Sequence, residues 1–455
     1  MSLRHNLLQA RSHIAIILGF LIAFSVVLYI ETHMPPPPVE SAALKLSHDF
    51  PPLPAPRALT FEEAIWARVA WQYFINNTQP SGLVNAIDNQ PYTSMWDSGS
   101  YLMAMMSAQR LGIISRAELN SRMSNALSAL IKLPLYQGKL PAVYYDTLQL
   151  GIMDSPSLQS PDPGWSAVDI SRLLMSLNIS VWLYPEQTPA INQLLTNWQL
   201  DVLFAQQLTQ SPFSLRDVPK WQLITRDNRP GYGYRLYAAQ GLQNANAAAG
   251  IVLSQPLPKQ RYITIEGVEI PYDGLIKVGK EDHPIVVSMP YILTGLEAGF
   301  DVNSAEMAWR IVKVQESRYK STEDFTYISN DYEEQKPDSG DKKQANHLPL
   351  AIDTSRGELN RTALQLSTKS AFGWYALFRS PWSESMRRRA APLLAPGKGW
   401  YDGIRAQDQK ISTTISANTN AMVLESLLYL TQGPLLCPSC QSGSPADIPK
   451  NNGSN

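Results

Sequence analysis

Residues 397–430 read GKGWYDGIRAQDQKISTTISANTNAMVLESLLYL. The stretch divides into a turn, a polar loop and a helix. Gly397, Gly399 and Gly403 bracket Trp400, Tyr401 and Asp402, and glycine at that density marks tight turns. Asn418, Thr419 and Asn420 offer side-chain caps for a helix start. The run from Ala421 to Leu430 is apolar except for Glu425 and Ser426. At helical spacing Asn418, Met422 and Glu425 share one stripe. A lone carboxylate on so apolar a helix either faces a polar cavity or accepts a structural hydrogen bond from a neighbouring loop.

The same grammar recurs upstream. Helices that are apolar and rich in small residues begin near 94, 166, 289, 367 and 419, each after a loop carrying aromatic and acidic residues. Between them lie more charged, amphipathic helices near 116, 188, 304 and 384, with others predicted over 61–76 and 237–252. Buried helices alternating with half-exposed ones predict two concentric layers. The expected fold is therefore all-α, an (α/α) toroid of about six helix hairpins, with the loops before the inner helices gathered at one mouth. An ordinary bundle is the alternative, and no fixed-period repeat marks a solenoid. Strand signals are sparse; the clearest alternates over 262–270.

The N-terminus adds a second kind of segment. Residues 1–13 carry Arg4 and Arg11 and no acid, and the run from Ile14 to Ile30 has no charge. That length reads as a transmembrane anchor, and the basic flank before it puts the N-terminus in the cytoplasm. No small-residue cleavage site follows closely, which favours an anchor over a removed signal. Residues 31–58 are proline-rich and read as a stiff periplasmic linker. The expected organisation is a single-pass bacterial inner-membrane protein with its main domain, 59–435, in the periplasm and a disordered tail over 436–455. Cys437 and Cys440 lie in that tail as Cys-Pro-Ser-Cys, which an oxidising compartment would close into a small disulfide loop.

Composition narrows the chemistry. With 38 basic and 39 acidic residues the formal charge is −1, which argues against nucleic acid as the main partner. Six histidines, four of them in the anchor or spacer, leave a His-rich metal site or a Ser-His-Asp triad without material. No Gly-x-Ser-x-Gly elbow and no phosphate-cradling glycine loop is present, so no cofactor is implied. Trp and Tyr instead recur beside Gly and Asp in loops. Aromatic faces stack on sugar rings and carboxylates accept from sugar hydroxyls, although plugging a loop onto the core needs the same residues. Candidate catalytic acids are Glu269, Asp273, Asp146 and Asp402, because glycoside hydrolysis needs two carboxylates across the scissile bond. Candidate sugar-binding residues are Trp96, Asp97, Tyr145, Trp165, Asp169, Tyr272, Trp400, Tyr401, Asn420 and Glu425. Asp97 reads equally as a helix cap, and Asp169 as a partner of Arg172 three residues on.

Several motifs carry a family resemblance: NTQPSGLVNAID (77–88), MWDSGSYL (95–102), YYDT (144–147), GWSAVDISRLL (164–174), IEGVEIPYDG (265–274), PYILTGLEAGF (290–300), LSTKSAFGWYALF (366–378) and the opening stretch. They resemble a family of bacterial envelope proteins of unassigned function that is similar to glucoamylase-like (α/α) toroids, including enzymes acting on β-1,2-glucans. The resemblance spans roughly 60–435 and implies a periplasmic domain with a carbohydrate-sized cleft. Related sequences often carry an acid just before the Pro-Tyr of PYILTGLEAGF, where this chain has Met289. A charged insert at 333–360 also replaces an aromatic-rich segment. The expectation is a glycoside hydrolase-like protein acting on an envelope or exported polysaccharide. The alternative is a glycan-binding scaffold working with polysaccharide synthesis or export proteins.

Overall fold

The computed structural model describes residues 20, 25, 46–47, 49–153, 164–200, 232–245, 262–265, 267–271, 274–278, 281–285, 288–322, 364–405 and 408–436. Nearly all of the apolar run 14–30 lies outside these residues, as do the charged insert, Tyr272, Asp273, Cys437 and Cys440. Among the described residues no helix is long and apolar enough to cross a membrane.

In chain order the helices are α1 (Phe61–Asn77), α2 (Met95–Arg110), α3 (Arg116–Lys132), α4 (Ala167–Leu183), α5 (Thr188–Thr196), α6 (Tyr232–Ala245), α7 (Met289–Leu293, continued by a π turn over Thr294–Ala298), α8 (Val302–Thr322), α9 (Thr368–Leu377), α10 (Pro381–Ala390) and α11 (Ala417–Gln432). Six of them close a ring. α2 packs on α4, α4 on α6, α6 on α7, α7 on α9 and α9 on α11, and α11 returns to α2. The others form an outer layer: α1 lies against α11 and α2, α3 against α2, α5 against α3 and α4, α8 against α7, and α10 against α9. This is the double-layered toroid that the alternation of helix types predicts.

Burial shows why each helix takes its layer. Every residue of α9 is buried, as is α2 from Met95 to Ala108, which suits helices with neighbours on all sides. α3 instead buries a stripe of Leu119, Met123, Ala126, Leu127 and Leu130 at spacings of three and four. The inner ring is tight enough to exclude side chains at some crossings. A Cβ on Gly241 of α6 would collide with the Ser171 carbonyl of α4, and one on Gly233 would stand 2.7 Å from the Tyr291 ring. Periodicity predicts a helix only from Tyr237, yet α6 starts at Tyr232, because Gly233 serves a close helix approach and makes no turn.

Serine caps four of the six inner helices. Ser94, Ser166, Ser367 and Ser416 accept from the backbone N–H groups of Asp97, Asp169, Ser370 and Thr419. α11 is thus capped by Ser416, ahead of the Asn418–Asn420 run. Bridges from Ile415 to Tyr401 and from Ser416 to Ile87 hold the approach to that cap extended.

Short antiparallel ladders lie in the connections. β1 (Tyr92–Thr93) pairs with β4 (Tyr145–Asp146), β2 (Leu135–Tyr136) with β3 (Leu140–Pro141), and β10 (Leu394–Ala395) with β11 (Gly399–Trp400). β9 (Leu364–Ser367), which leads into α9, pairs with β12 (Gly403–Arg405). The strand signal at 262–270 resolves into a hairpin, β5 (Tyr262–Ile265) with β6 (Val268–Pro271). A second hairpin, β7 (Gly274–Val278) with β8 (Glu281–Ile285), follows it. β8 is too polar, reading EDHPI, to show a strand pattern.

The end of the proline-rich segment lies on the helical body. Ser47 donates to Glu306 on α8 through its N–H at 3.0 Å and its hydroxyl at 2.5 Å. The Arg57 N–H donates to the Leu430 carbonyl at 2.7 Å. Gly241→Ala should destabilise the fold by about 1–3 kcal/mol through overpacking of α6 on α4. A denaturant midpoint equal to that of the parent chain would contradict so close a crossing.

Candidate functional site

The six inner helices run the same way round the ring, which puts their N-terminal turns at one end. That end is the mouth. α2 brings Trp96 and Asp97 to it, α4 brings Asp169 with Trp165 just before it, α6 brings Tyr234, α7 brings Met289 and Tyr291, α9 brings Lys369, and α11 brings Asn418. The indole Nε1 of Trp96 donates to Asn418 Oδ1 at 3.2 Å, and Asn418 Nδ2 donates to the Met289 sulfur at 3.2 Å. Trp96 also meets Tyr234 edge to face at 5.8 Å. These contacts join α2, α6, α7 and α11 across the axis into an aromatic and amide floor.

Beneath that floor sits a buried charge. The Arg172 guanidinium lies 5.1 Å below the Trp96 ring and is fully buried. It donates to Ser100 Oγ at 3.3 Å, to the Tyr237 hydroxyl at 2.7 Å, to Glu425 Oε1 at 3.1 Å and to Glu297 Oε1. The Tyr237 hydroxyl donates in turn to Glu297 Oε2 at 2.6 Å. Burial alone would lower the arginine's pKa, but Glu297, Tyr237 and Glu425 raise it, so the cation persists. Two carboxylates then share one cation in a dry site. Burial, reinforced by the Glu297 charge, pushes the Glu425 carboxyl well above the usual range. Glu425 is therefore held protonated beside Glu297 and Arg172. The open reading of Glu425, polar cavity or structural acceptor, resolves to a structural acceptor in this cluster. Arg172, which the i+3 spacing matches to Asp169, points to Glu297 and Glu425.

The loop candidates divide by exposure. Glu269 is exposed on β6 beside buried Ile270, and its backbone carbonyl accepts from Arg310 of α8 at 2.8 Å. Asp146 is half-buried, with Oδ1 accepting from the Leu148 and Gln149 N–H groups at 2.7 and 2.8 Å. Tyr401 is half-buried and its carbonyl accepts from Thr368 at 2.6 Å. The remaining described candidates are enclosed. Asp402 accepts from the Ser416 and Thr419 hydroxyls, both at 2.7 Å, and so ties its loop to the start of α11. Asp97 closes a capping box with Ser94, which donates to it through N–H and hydroxyl at 3.1 and 2.6 Å. Asn420 Oδ1 accepts from the Trp400 N–H at 2.8 Å, and the Trp400 indole donates to the Trp66 carbonyl at 3.2 Å. The Tyr145 hydroxyl donates to Pro134 at 2.8 Å, and Trp165 packs edge-on to Tyr136 at 5.7 Å. Tyr272 and Asp273 lie outside the described residues.

Tyr234, Tyr291 and Lys369 reach the mouth without having been singled out in the sequence. Lys369 follows the Ser367 cap and Tyr291 follows Ser288, so a serine helix start could have found those two, whereas Tyr234 follows Pro230-Gly231 and carries no such signal. Among the described residues no group of His, Cys, Asp and Glu is arranged to hold a metal ion. A groove of about 410 Å³, lined by Gln79, Tyr101, Glu118, Arg122 and Asn125 among others, lies between α3 and the loop after α1. It shares none of the mouth residues.

The buried cluster makes an asymmetric prediction. Glu297→Gln removes the charge partner of Arg172 and should cost about 3–5 kcal/mol. Glu425→Gln mimics a protonated carboxyl and should cost far less. A raised carboxyl pKa contributes stability that is full below the ordinary carboxylate range and is lost as pH rises. Glu425→Gln should therefore gain stability relative to the parent chain as pH rises above about 4.5. Equal costs for the two variants, or parallel pH profiles in urea denaturation, would contradict the assignment.

The chain belongs to the family DUF3131, described as a protein of unknown function, whose pattern matches residues 65–433. No curated protein matches it. Among solved structures it is similar to a candidate glucoamylase from Bacteroides uniformis, at 13% identity over 83% of this chain and 93% of that one, with a TM-score of 0.56. It is also similar to an endo-β-1,2-glucanase from Chitinophaga pinensis in complex with sophorotriose and glucose, at 13% identity over 84% and 97% of the two chains, TM-score 0.55. A β-1,2-glucanase from Parabacteroides distasonis matches at 14% identity over 84% of this chain and 58% of that one, TM-score 0.54. At such identities the likeness is one of fold.

Proposed function

We propose that this chain is a glycoside hydrolase-like protein that takes a glucan, of the β-1,2-linked class, at the mouth of the helix ring. The observation that carries the reading is the convergence of six inner-helix starts on one end, with Trp96, Trp165, Tyr234 and Tyr291 beside carboxylates. Aromatic rings and hydrogen-bonding acids gathered at one end suit a sugar. Fold relatives that act on β-1,2-glucan support the choice of substrate class. In this reading the acid-base pair is drawn from Glu269 and Asp146, the described candidate acids with solvent access, and Asp273. One protonates the leaving oxygen while the other activates water or attacks the sugar. Asp97, Asp402 and Asn420 position the helix starts and loops that frame the cleft. The charge-free run 14–30 would anchor the chain in a bacterial inner membrane with the body in the periplasm.

One observation favours a second reading, glycan binding without cleavage in a polysaccharide synthesis or export system. Met289, where related sequences carry an acid, is buried and spends its sulfur on Asn418. One assay separates the two. The purified chain should release reducing ends from β-1,2-glucan, and Glu269→Gln or Asp146→Asn should slow that release by about 10²–10⁴-fold. Tight binding with no turnover would transfer the case to the second reading. Neither binding nor turnover on a broad glucan panel would remove both.

A further inference from the structure

At the end of the ring opposite the mouth, three arginines crowd round one carboxylate. Glu63, in the first turn of α1, is buried and accepts from Arg57 Nη1 and Nη2 at 2.7 and 2.6 Å and from Arg387 Nη1 of α10. Burial would raise the Glu63 carboxyl, but Arg57, the Thr60 N–H and Arg387 hold it down at about 2. It therefore offsets only one of the positive charges around it. Arg387 is only 9% exposed, lies 3.9 Å over the Tyr375 ring, and its Nε makes no hydrogen bond. Arg379, between α9 and α10, has a buried Nε with no acceptor and forms no ion pair among the described residues. Burial and the neighbouring Arg57 charge push its pKa down. The one acid on α10, Glu384, is taken by Arg388 at 2.7 Å.

Donors remain on the open side of this cluster. Tyr375 accepts from Arg57 Nη2 at 3.4 Å and keeps its own proton to give. Tyr429 of α11 lies near Arg379, and burial pushes its phenol up to about 12, so it too stays a donor at neutral pH. The N-termini of α1 and α10 add positive dipole ends to the same side. The donors come from the α9–α10 connection, from α9 and from α11, three directions that suit a tetrahedral oxyanion. Arg57 spends its Nη hydrogens on Ala58, Glu63 and Tyr375 and adds only its charge. We propose that Arg379, Tyr375 and Tyr429, with that charge behind them, form an anion site for a phosphate group, carried either as free phosphate or on a phospholipid headgroup. The site is independent of the glucan reading.

The test uses the full chain in a non-ionic detergent, with melting followed against chloride at matched ionic strength. Inorganic phosphate at about tenfold its Kd should raise Tm by about 2 °C. Arg379→Gln should abolish that rise, and Tyr429→Phe should reduce it. Because burial and the Arg57 charge outweigh the attraction of Glu63 for Arg379, Arg379→Gln should melt no lower than the parent chain without phosphate. Dihexanoylphosphatidylglycerol, added below its micellar concentration, replaces phosphate in a second arm. A response to the lipid alone identifies a headgroup, and a response to phosphate alone identifies the free ion. No response in either arm beyond chloride, or an equal rise in Arg379→Gln, would overturn the proposal.

Discussion

The structure depends on a guanidinium with nowhere to go. Arg172 stands on the axis of the ring with no access to water, and an unpaired charge there would cost far more than a domain's net stability. Its partners come from almost every inner helix: Ser100 from α2, Tyr237 from α6, Glu297 from α7 and Glu425 from α11. Only α9 contributes no side chain to it. Apolar packing alone would tolerate helices sliding past one another, since many hydrophobic arrangements have similar energy. A cation that needs acceptors from four helices at hydrogen-bond distance leaves one register.

That register sets what stands above it. Trp96 lies on the Arg172 guanidinium and gives its N–H to Asn418, so the mouth floor inherits its position from the ion cluster. Around the rim the serine caps repeat the same local device, and Asp97, Asp402 and Asn420 bind loops to those caps. The enclosed acids of the mouth thus build the frame, while Glu269 is exposed and Asp146 half-buried. The opposite end follows another rule, with Glu63 and its arginines joining α1 to α10 in the outer layer.

The sequence made the layers legible because helix burial writes itself into composition. A helix enclosed on all sides, such as α9, can carry almost no charge, and one with a wet face, such as α3, shows a stripe. The mouth was legible to the same degree, since Trp96, Asp97, Trp165 and Asp169 sit at inner-helix starts. Partners far apart in the chain were not. Glu425 and Arg172 are 253 residues apart, and no local pattern encodes that pairing; the nearest one, an i+3 acid, points to Asp169. Ser416 escaped notice because its capping role depends on the extended approach held by Ile87 and Tyr401. The β7–β8 hairpin gave no clear alternation because β8, reading EDHPI, is too polar to show a strand pattern.

Hydrogen exchange of the full chain, with and without a β-1,2-gluco-oligosaccharide, tests most directly whether the inner-helix starts form the ligand-binding end. The account predicts slower exchange in the first turns of α2, α4 and α11 and across residues 133–153, with little change at the opposite end. Protection confined to the region around Arg379, or spread evenly through the ring with none at the mouth, would contradict it.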